Sequence, residues 1–264
     1  MIELIIGAVL LSLLIYGIFI EPHLMKVRHV KIAQKQNLKI AHFTDTHFAW
    51  HTTSRRFKKF ARNIANEQPD LIIFSGDLFD KVAWAKNRDW TDLLTILSEL
   101  KAPLGKFAIL GNHDFDDEKS SRFVEEFLEK AGFVLLKNSS VVKDNLSISG
   151  VDDWREGRPD FELEPIDATF SLLALHEPDT ILDMETIKEF DLILSGHSHG
   201  GQINVPLIPQ IQKKATALMS HANNYTGGLY QLGANEKLYV NTGIGTTHLS
   251  ARFGVAPEIA VLTF

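Results

Sequence analysis

The chain has 264 residues, enough for one large domain or two small ones, and its 45% hydrophobic and 23% charged content is that of a globular protein. A net charge of −6 argues against a general binder of nucleic-acid polymers, although bound cations can reverse the local charge and admit a phosphate-bearing substrate. The absence of cysteine excludes disulfides, thiolate metal sites and a cysteine nucleophile.

Residues 4–20 carry no charge and are interrupted only by Gly7, Ser12, Tyr16 and Gly17. As a helix this run is ~26 Å long, near the lower limit for crossing a bilayer. The expectation is a single membrane anchor with its flank within residues 1–25. A cleaved signal peptide would show a basic start and an Ala-x-Ala-like exit, and a core helix would show a polar face; the run has neither. Only Glu3 and the terminal amine precede the span, whereas Lys26, Arg28, Lys31 and Lys35 come after it. The positive-inside rule therefore keeps the remainder of the chain in the cytoplasm, with the extracellular side open because long domains cross despite their charges. Residues 26–37 read as a tether, with alternating apolar and polar residues at 27–32 predicting an edge strand.

Ser54 is expected to cap a helix to about Gln68, with Phe57, Phe60, Ala61 and Ile64 on one face and Pro69 as its stop. Asp89 caps a second, with Trp90, Leu93, Leu94, Leu97 and Leu100 inward, ending near Pro103. A third runs from about Glu118 to Ala131 and stops at Gly132. With the strands between them, the first half reads β-α-β-α-β-α. In the second half, strands near 140–142 and 146–149 flank a turn at Asp144-Asn145, and a helix is expected at 180–190. Strands at 228–232 and 237–241 form another hairpin, and 260–264 closes the chain as a strand. The sum is an α/β fold of two βα-rich halves whose sheets pack face to face with helices outside.

Five apolar runs end on polar clusters. They stop at Asp45-Thr46-His47, Ser75-Gly76-Asp77, Gly111-Asn112-His113-Asp114, His176-Glu177 and Ser195-Gly196-His197-Ser198-His199. Ligand sites of open α/β sheets lie beyond the carboxyl ends of strands, so five such ends predict one shared polar site. Imidazole and carboxylate suit borderline divalent metals such as Mn²⁺, Fe²⁺ or Zn²⁺. Asp45, His47, Asp77, Asn112, His176, His197 and His199 are too many ligands for one open site, but enough for two if a carboxylate bridges. Extended geometry would send Asp45 and His47 to one face, and likewise His197 and His199. Gly76, Gly111 and Gly196 each precede a ligand, where the backbone must turn sharply or approach closely. His42 reads as packed, His51, His221 and His248 as loop residues, and Trp84 and Trp90 as core. Residues 201–227, with Pro206, Pro209, Lys213 and Lys214, read as either a substrate-facing flap or a solvated loop.

In this order and spacing, Asp45-x-His47, Gly76-Asp77, Gly111-Asn112-His113-Asp114, His176 and Gly196-His197-x-His199 resemble the calcineurin-like metallophosphoesterase family over about residues 38–264. Gly200-Gly201-Gln202, Gly243-Ile244-Gly245-Thr246 and Arg252-Phe253-Gly254 are similar to its YkuE-like bacterial branch, some of whose members act on lipid-linked sugar nucleotides. No twin-arginine export signal is present, so a secreted location does not carry over. The resemblance implies a β-sandwich of two mixed sheets flanked by helices, and two divalent metal ions. One would be held by Asp45, His47, Asp77 and His199, the other by Asp77, Asn112, His176 and His197. A bridging hydroxide would then attack phosphorus, with His113 protonating the leaving oxygen. Asp114 either orients His113 or caps the following helix, and Arg252 either touches a phosphate oxygen or forms a structural salt bridge. The expected function is a membrane-anchored phosphoesterase. A pyrophosphatase for a lipid-linked nucleotide and a metal-stabilised binding module at the membrane are the alternatives.

Overall fold

The computed structural model describes residues 1–32, 37–205, 208–217, 219 and 221–264. Lys35 of the basic flank and Pro206 of the expected flap lie outside the described residues. The first helix, α1 (Ile2–Ile15), continues through a π turn at Tyr16–Ile20 and a 3-10 turn at Glu21–His23. This continuous 22-residue element, Ile2–His23, is long and apolar enough to cross a membrane.

The body is built on two six-stranded sheets. The first contains β1 (Lys26–Lys31), β2 (Lys39–Phe43), β3 (Leu71–Ser75), β4 (Gly105–Ile109), β5 (Val134–Leu135) and the strand that ends the chain, Glu258–Thr263. The second contains β6 (Ser139–Lys143), β7 (Leu146–Gly150), β8 (Phe170–Ala174), β9 (Leu192–Ser195), β10 (Gly228–Gln231) and β11 (Lys237–Val240). With the final strand as β12, the spatial orders are β1-β12-β2-β3-β4-β5 and β10-β11-β9-β8-β7-β6. The central pairs β2–β3, β3–β4, β7–β8 and β8–β9 are parallel, so their carboxyl ends lie side by side. Antiparallel pairing of β12 with β2, β6 with β7 and β10 with β11 makes both sheets mixed.

Strand periodicity explains the layers. Leu71 and Ile73 of β3 face Leu172, Leu192 and Leu194 across the space between the sheets. Ile72 and Phe74, on the opposite face of β3, pack under helices. Those helices are α2 (Ser54–Glu67), α4 (Thr91–Glu99) and α5 (Arg122–Lys130), with the short α3 (Val82–Ala85) beside them. The inner strands β2, β3, β4, β8 and β9 are buried on both faces, which is why they read as continuous apolar runs.

Four boundaries differ from the sequence expectation, one of them at α4, whose N-cap is Trp90 rather than Asp89. Thr53, not Ser54, caps α2, its side chain accepting from Arg56 N. The third long helix starts at Arg122 because Asp116 Oδ1 takes the backbone N–H groups of Glu118 and Ser120 at 3.0 and 2.9 Å, holding that stretch in a turn. Residues 180–190 form no α-helix but two 3-10 turns, Pro178–Leu182 and Ile187–Glu189. Ile181, Met184, Ile187 and Phe190 recur every third residue, the period of a 3-10 turn, and they cover the outer face of the second sheet against Leu173 and Ile193.

Leu172 is fully buried between the sheets, whereas Val142 is 40% exposed. Leu172→Ala should lower the free energy of unfolding by about 2–5 kcal/mol, and Val142→Ala should change it by no more than about 0.5 kcal/mol, as measured by urea titration in detergent.

Candidate metal centre

The loops after β2, β3, β4, β8 and β9 converge where the two sheets meet. Asp45, His47 and His199 form one buried cluster, and Asp77, His176 and His197 form another. Within the first, His47 Nε2 lies 3.0 Å from His199 Nε2, and His199 Nε2 lies 3.4 Å from Asp45 Oδ1. Within the second, His197 Nδ1 lies 3.2 Å from His176 Nε2. One atom joins them: Asp77 Oδ2 is 3.3 Å from His47 Nε2 and 3.3 Å from His176 Nε2.

These residues reach the site by a route the spacing did not suggest. Asp45 and His47 are not extended; their φ angles are +49° and +42°, and those of Asp77, His197 and His199 are +61°, +64° and +47°. Five ligand-type side chains thus stand on left-handed backbone, a conformation that costs a non-glycine residue ~1–2 kcal/mol and persists only where the surroundings enforce it. Backbone pairing past the strand ends is that enforcement: Asp45 N donates to Gly76 O, and His47 N to Asp77 O. Two glycines permit the approach. A Cβ on Gly76 would sit 2.5 Å from Gly111 N, and one on Gly111 would sit 2.4 Å from Asp77 Oδ1.

The surrounding hydrogen bonds orient the rings. His176 Nδ1 donates to Ser75 O at 2.7 Å, which leaves Nε2 as the nitrogen facing Asp77. His113 Nδ1 donates to Asp80 O at 2.7 Å and so leaves its own Nε2 as the unprotonated nitrogen of the neutral ring. Burial would push the Asp77 carboxyl up, but His176 and His113 hold it well below the usual carboxylate range. Burial opposes charge on His176 too, yet Asp77 lifts it well above the ordinary imidazole value. Buried Asp77 thus keeps its charge beside a charged His176, whereas burial lowers the pKa of His197 and His199 and favours their neutral, metal-ligating form.

The donor set fits divalent metal ions. Ligand atoms ~2.1 Å from one ion stand roughly 3.0–3.4 Å apart, as do His47–His199, His199–Asp45, Asp77–His176 and His176–His197 here, while His47 Nε2 stands 3.9 Å from Asp45 Oδ1. Asn112 Oδ1 is sealed from solvent without a hydrogen-bond partner among the described residues, as a carbonyl-type ligand would be before it binds.

Other residues behave differently from the sequence expectation. Asp114 neither orients His113 nor caps a following helix. Its carboxylate accepts from Asp77 N, Leu78 N and Gly111 N at 2.8, 2.8 and 2.9 Å, so it holds the backbone that presents Asp77. Burial, with Asp77 close by, pushes its pKa up to about 7. Arg252 is fully buried and touches no open surface. It donates to the carbonyls of Gly245, Thr242 and Val255, with Nη2 3.4 Å from His199 Nδ1, so it braces a ligand from behind. His42 is packed as expected, its Nε2 2.8 Å from Ser75 Oγ. Asp80 was missed: its carboxylate lies 3.6 Å from His47 Nδ1, while its carbonyl holds His113. Its one sequence signal was a second acidic side chain three residues after Asp77.

Two sheets stacked face to face, with a dinuclear divalent-metal site at the carboxyl ends of their inner strands, define a metallophosphatase architecture. The calcineurin-like phosphoesterase family model matches residues 38–201. The chain is 33% identical to the metallophosphoesterase YkuE of Bacillus subtilis, over 94% of this chain and 88% of that relative. It is 29% identical to the UDP-2,3-diacylglucosamine pyrophosphatase LpxG of Chlamydia muridarum, over 94% of this chain and 92% of LpxG. A dimetal phosphatase from Danio rerio shares the fold at a TM-score of 0.50 and 11% identity, with 82% of this chain and 91% of that one covered. The chain belongs to the calcineurin-like phosphoesterase family and is a metal-dependent phosphoester hydrolase.

Replacing Asp114 with Ala strands three buried N–H groups at ~1–3 kcal/mol each. Asp114→Ala should therefore lower stability by about 3 kcal/mol or more and reduce metal content with it, read by urea unfolding and elemental analysis of the same preparation.

Proposed function

We propose that the chain is a membrane-anchored phosphoesterase whose two metal ions share Asp77. Asp45, His47, Asp77 and His199 would hold one ion, and Asp77, Asn112, His176 and His197 the other. The observation that carries this reading is the equal 3.3 Å reach of Asp77 Oδ2 to His47 and His176. When bound, two divalent ions supply Lewis acidity and bring the pKa of a shared water toward ~7. The family and the ligand chemistry leave manganese, iron and zinc as the ions to compare.

The chain's own groups then have separable tasks. The imidazoles and carboxylates fix the charge that a phosphate must meet, which lets a protein of net charge −6 bind an anion. His113 is outside those two clusters, although with His47 and Asp80 it forms a third group of ligand-type atoms, and it is the group to move a proton. Its Nδ1–H is committed to Asp80 O, so Nε2, bare in the neutral ring, is the nitrogen that would take up the extra proton of the imidazolium and pass it to the leaving oxygen. Burial lowers the His113 pKa, which makes that proton easier to give up. Asp114 acts only on the position of Asp77.

A narrower reading has the scissile bond as a pyrophosphate in a lipid-linked nucleotide. Two observations favour it: the apolar helix at Ile2–His23, and the similarity to LpxG across 94% of the chain. In this reading residues 1–25 are the anchor and its flank, 26–37 the tether and edge strand, and 38–264 the catalytic domain. Glu3 before the span and Lys26, Arg28 and Lys31 after it favour the cytoplasmic face.

The full chain in detergent with Mn²⁺ should hydrolyse an aryl phosphate ester and lose that activity in chelator. Asp77→Ala should cut turnover more than ~100-fold, beyond what loss of an outer hydrogen-bond partner does, and should release both ions. Unchanged activity in that variant would end the shared-ligand reading. His113→Ala should slow turnover by ~10²–10⁴-fold with metal content unchanged; loss of metal would make His113 a ligand instead. On a substrate panel, a UDP-linked diacyl sugar should be cleaved faster than soluble aryl mono- and diesters. Equal or slower cleavage would remove the lipid-linked assignment and leave the phosphoesterase standing.

A further inference from the structure

The first helix does not leave the catalytic body on a slack linker. Arg252 N donates to Gly17 O at 2.9 Å, and Gly254 N donates to Glu21 Oε2 at 2.8 Å. Tyr16 meets Phe253 edge to face with ring centroids 5.9 Å apart, and Glu21 is buried. Beside this joint lies an apolar cleft of about 310 Å³, walled by Leu10, Leu13 and Leu14 of the helix and by Ile203, Leu249 and Phe253 of the body.

The position of that cleft along the helix matters. The uncharged run covers residues 4–20, and Leu10 is close to its middle. From Leu10 to Gly17 the helix rises ~10 Å. A helix that crosses a bilayer therefore carries this wall of the body into the hydrocarbon layer, which is ~30 Å thick.

We propose that the 249–253 loop and Ile203 are inserted among the acyl chains of the bilayer, which fill the cleft. This rests on the reading of the first helix as a membrane anchor. Irregular backbone in hydrocarbon must be hydrogen-bonded within the protein, and most of the loop's N–H groups are, with Ser250 N–H the exception among the described residues. Leu249, Ala251, Arg252, Phe253 and Gly254 all donate their N–H groups internally, to Thr247 O, Leu249 O, Gly17 O, Gln202 O and Glu21 Oε2. The loop's one charged side chain, Arg252, turns inward and is buried against carbonyl oxygens. Leu249 instead points outward and is 56% exposed. Nearby, α6 (Pro209–Thr216) packs on the His199–Gly201 turn and presents Ile211, Lys213 and Lys214 to solvent. Apolar and basic side chains together suit an anionic headgroup layer. Arg252 lies between two cleft residues and against His199, so the inserted loop also braces the metal centre.

The cysteine-free chain makes the test direct. Leu249→Cys, Leu10→Cys and Lys143→Cys are each nitroxide-labelled in the full chain and placed in nanodiscs of phosphatidylcholine and phosphatidylglycerol. Collision rates with oxygen and with a water-soluble nickel chelate are read by electron paramagnetic resonance. Labels at 249 and 10 should show an oxygen-to-chelate ratio several-fold above that at 143, the exposed last residue of β6. A water-like ratio at 249 with a lipid-like ratio at 10 overturns the insertion and leaves the anchor in place. Water-like ratios at both positions overturn the anchor as well, while the metal chemistry, read separately with an aryl phosphate, is untouched.

Discussion

One buried carboxylate sets the terms for the whole centre. Asp77 is 1% exposed, and nothing in an apolar interior would tolerate its charge unpaired. Its Oδ2 faces two imidazoles and its Oδ1 accepts from His113 N at 2.8 Å. Its backbone is held in turn by Asp114. Without it, the His47–His199 pair, which spans the two sheets, and the His176–His197 pair, which follows strands of the second sheet, would share no carboxylate between them. The parallel neighbours β3 and β4 make the arrangement possible, because they bring Gly76 against Gly111 where no side chain fits. The dependence thus runs from strand order, through glycine contact, to a shared ligand.

Much of this was legible because it rests on local pattern. Apolar runs such as Leu71-Ile72-Ile73-Phe74 mark strands buried on both faces, and the polar residue that ends each run marks the site edge. What local pattern could not supply was conformation at the ligands. Asp45 and His47 look like alternating strand residues, yet both stand on left-handed backbone fixed by pairing with Gly76 and Asp77, residues distant in sequence. Asp114 looked like a partner for His113 because they are adjacent, but its carboxylate is consumed by three backbone donors from two loops. Arg252 has the charge of a phosphate binder and none of the exposure. Residues 181–190 carry a three-residue apolar period that a 3.6-residue template absorbs too easily.

The end of the chain gives the clearest case of long-range order overriding local reading. As a sequence, β12 is a closing strand with no stated partner. In the fold it inserts between β1 and β2, antiparallel to β2 and parallel to β1. Glu258 at its start pairs with Arg28 at 2.8 Å and accepts from Tyr239 Oη at 2.9 Å, tying the edge strand to the second sheet. The segment leading into it runs past the metal centre, with Gly245 N donating to Asp45 O and Ile244 N to Thr44 O.

This return path makes the apolar helix and the metal centre parts of one mechanical unit. The same segment that lines Asp45 and braces His199 through Arg252 also bonds Gly17 and Glu21 at the foot of the helix. A swinging tether would let the site sample solvent at a distance set by linker length. Direct bonding fixes the height of the site relative to the helix instead. For a chain anchored as proposed, a soluble ester must diffuse to a surface-bound site, whereas a lipid-linked phosphate already lies in the right plane.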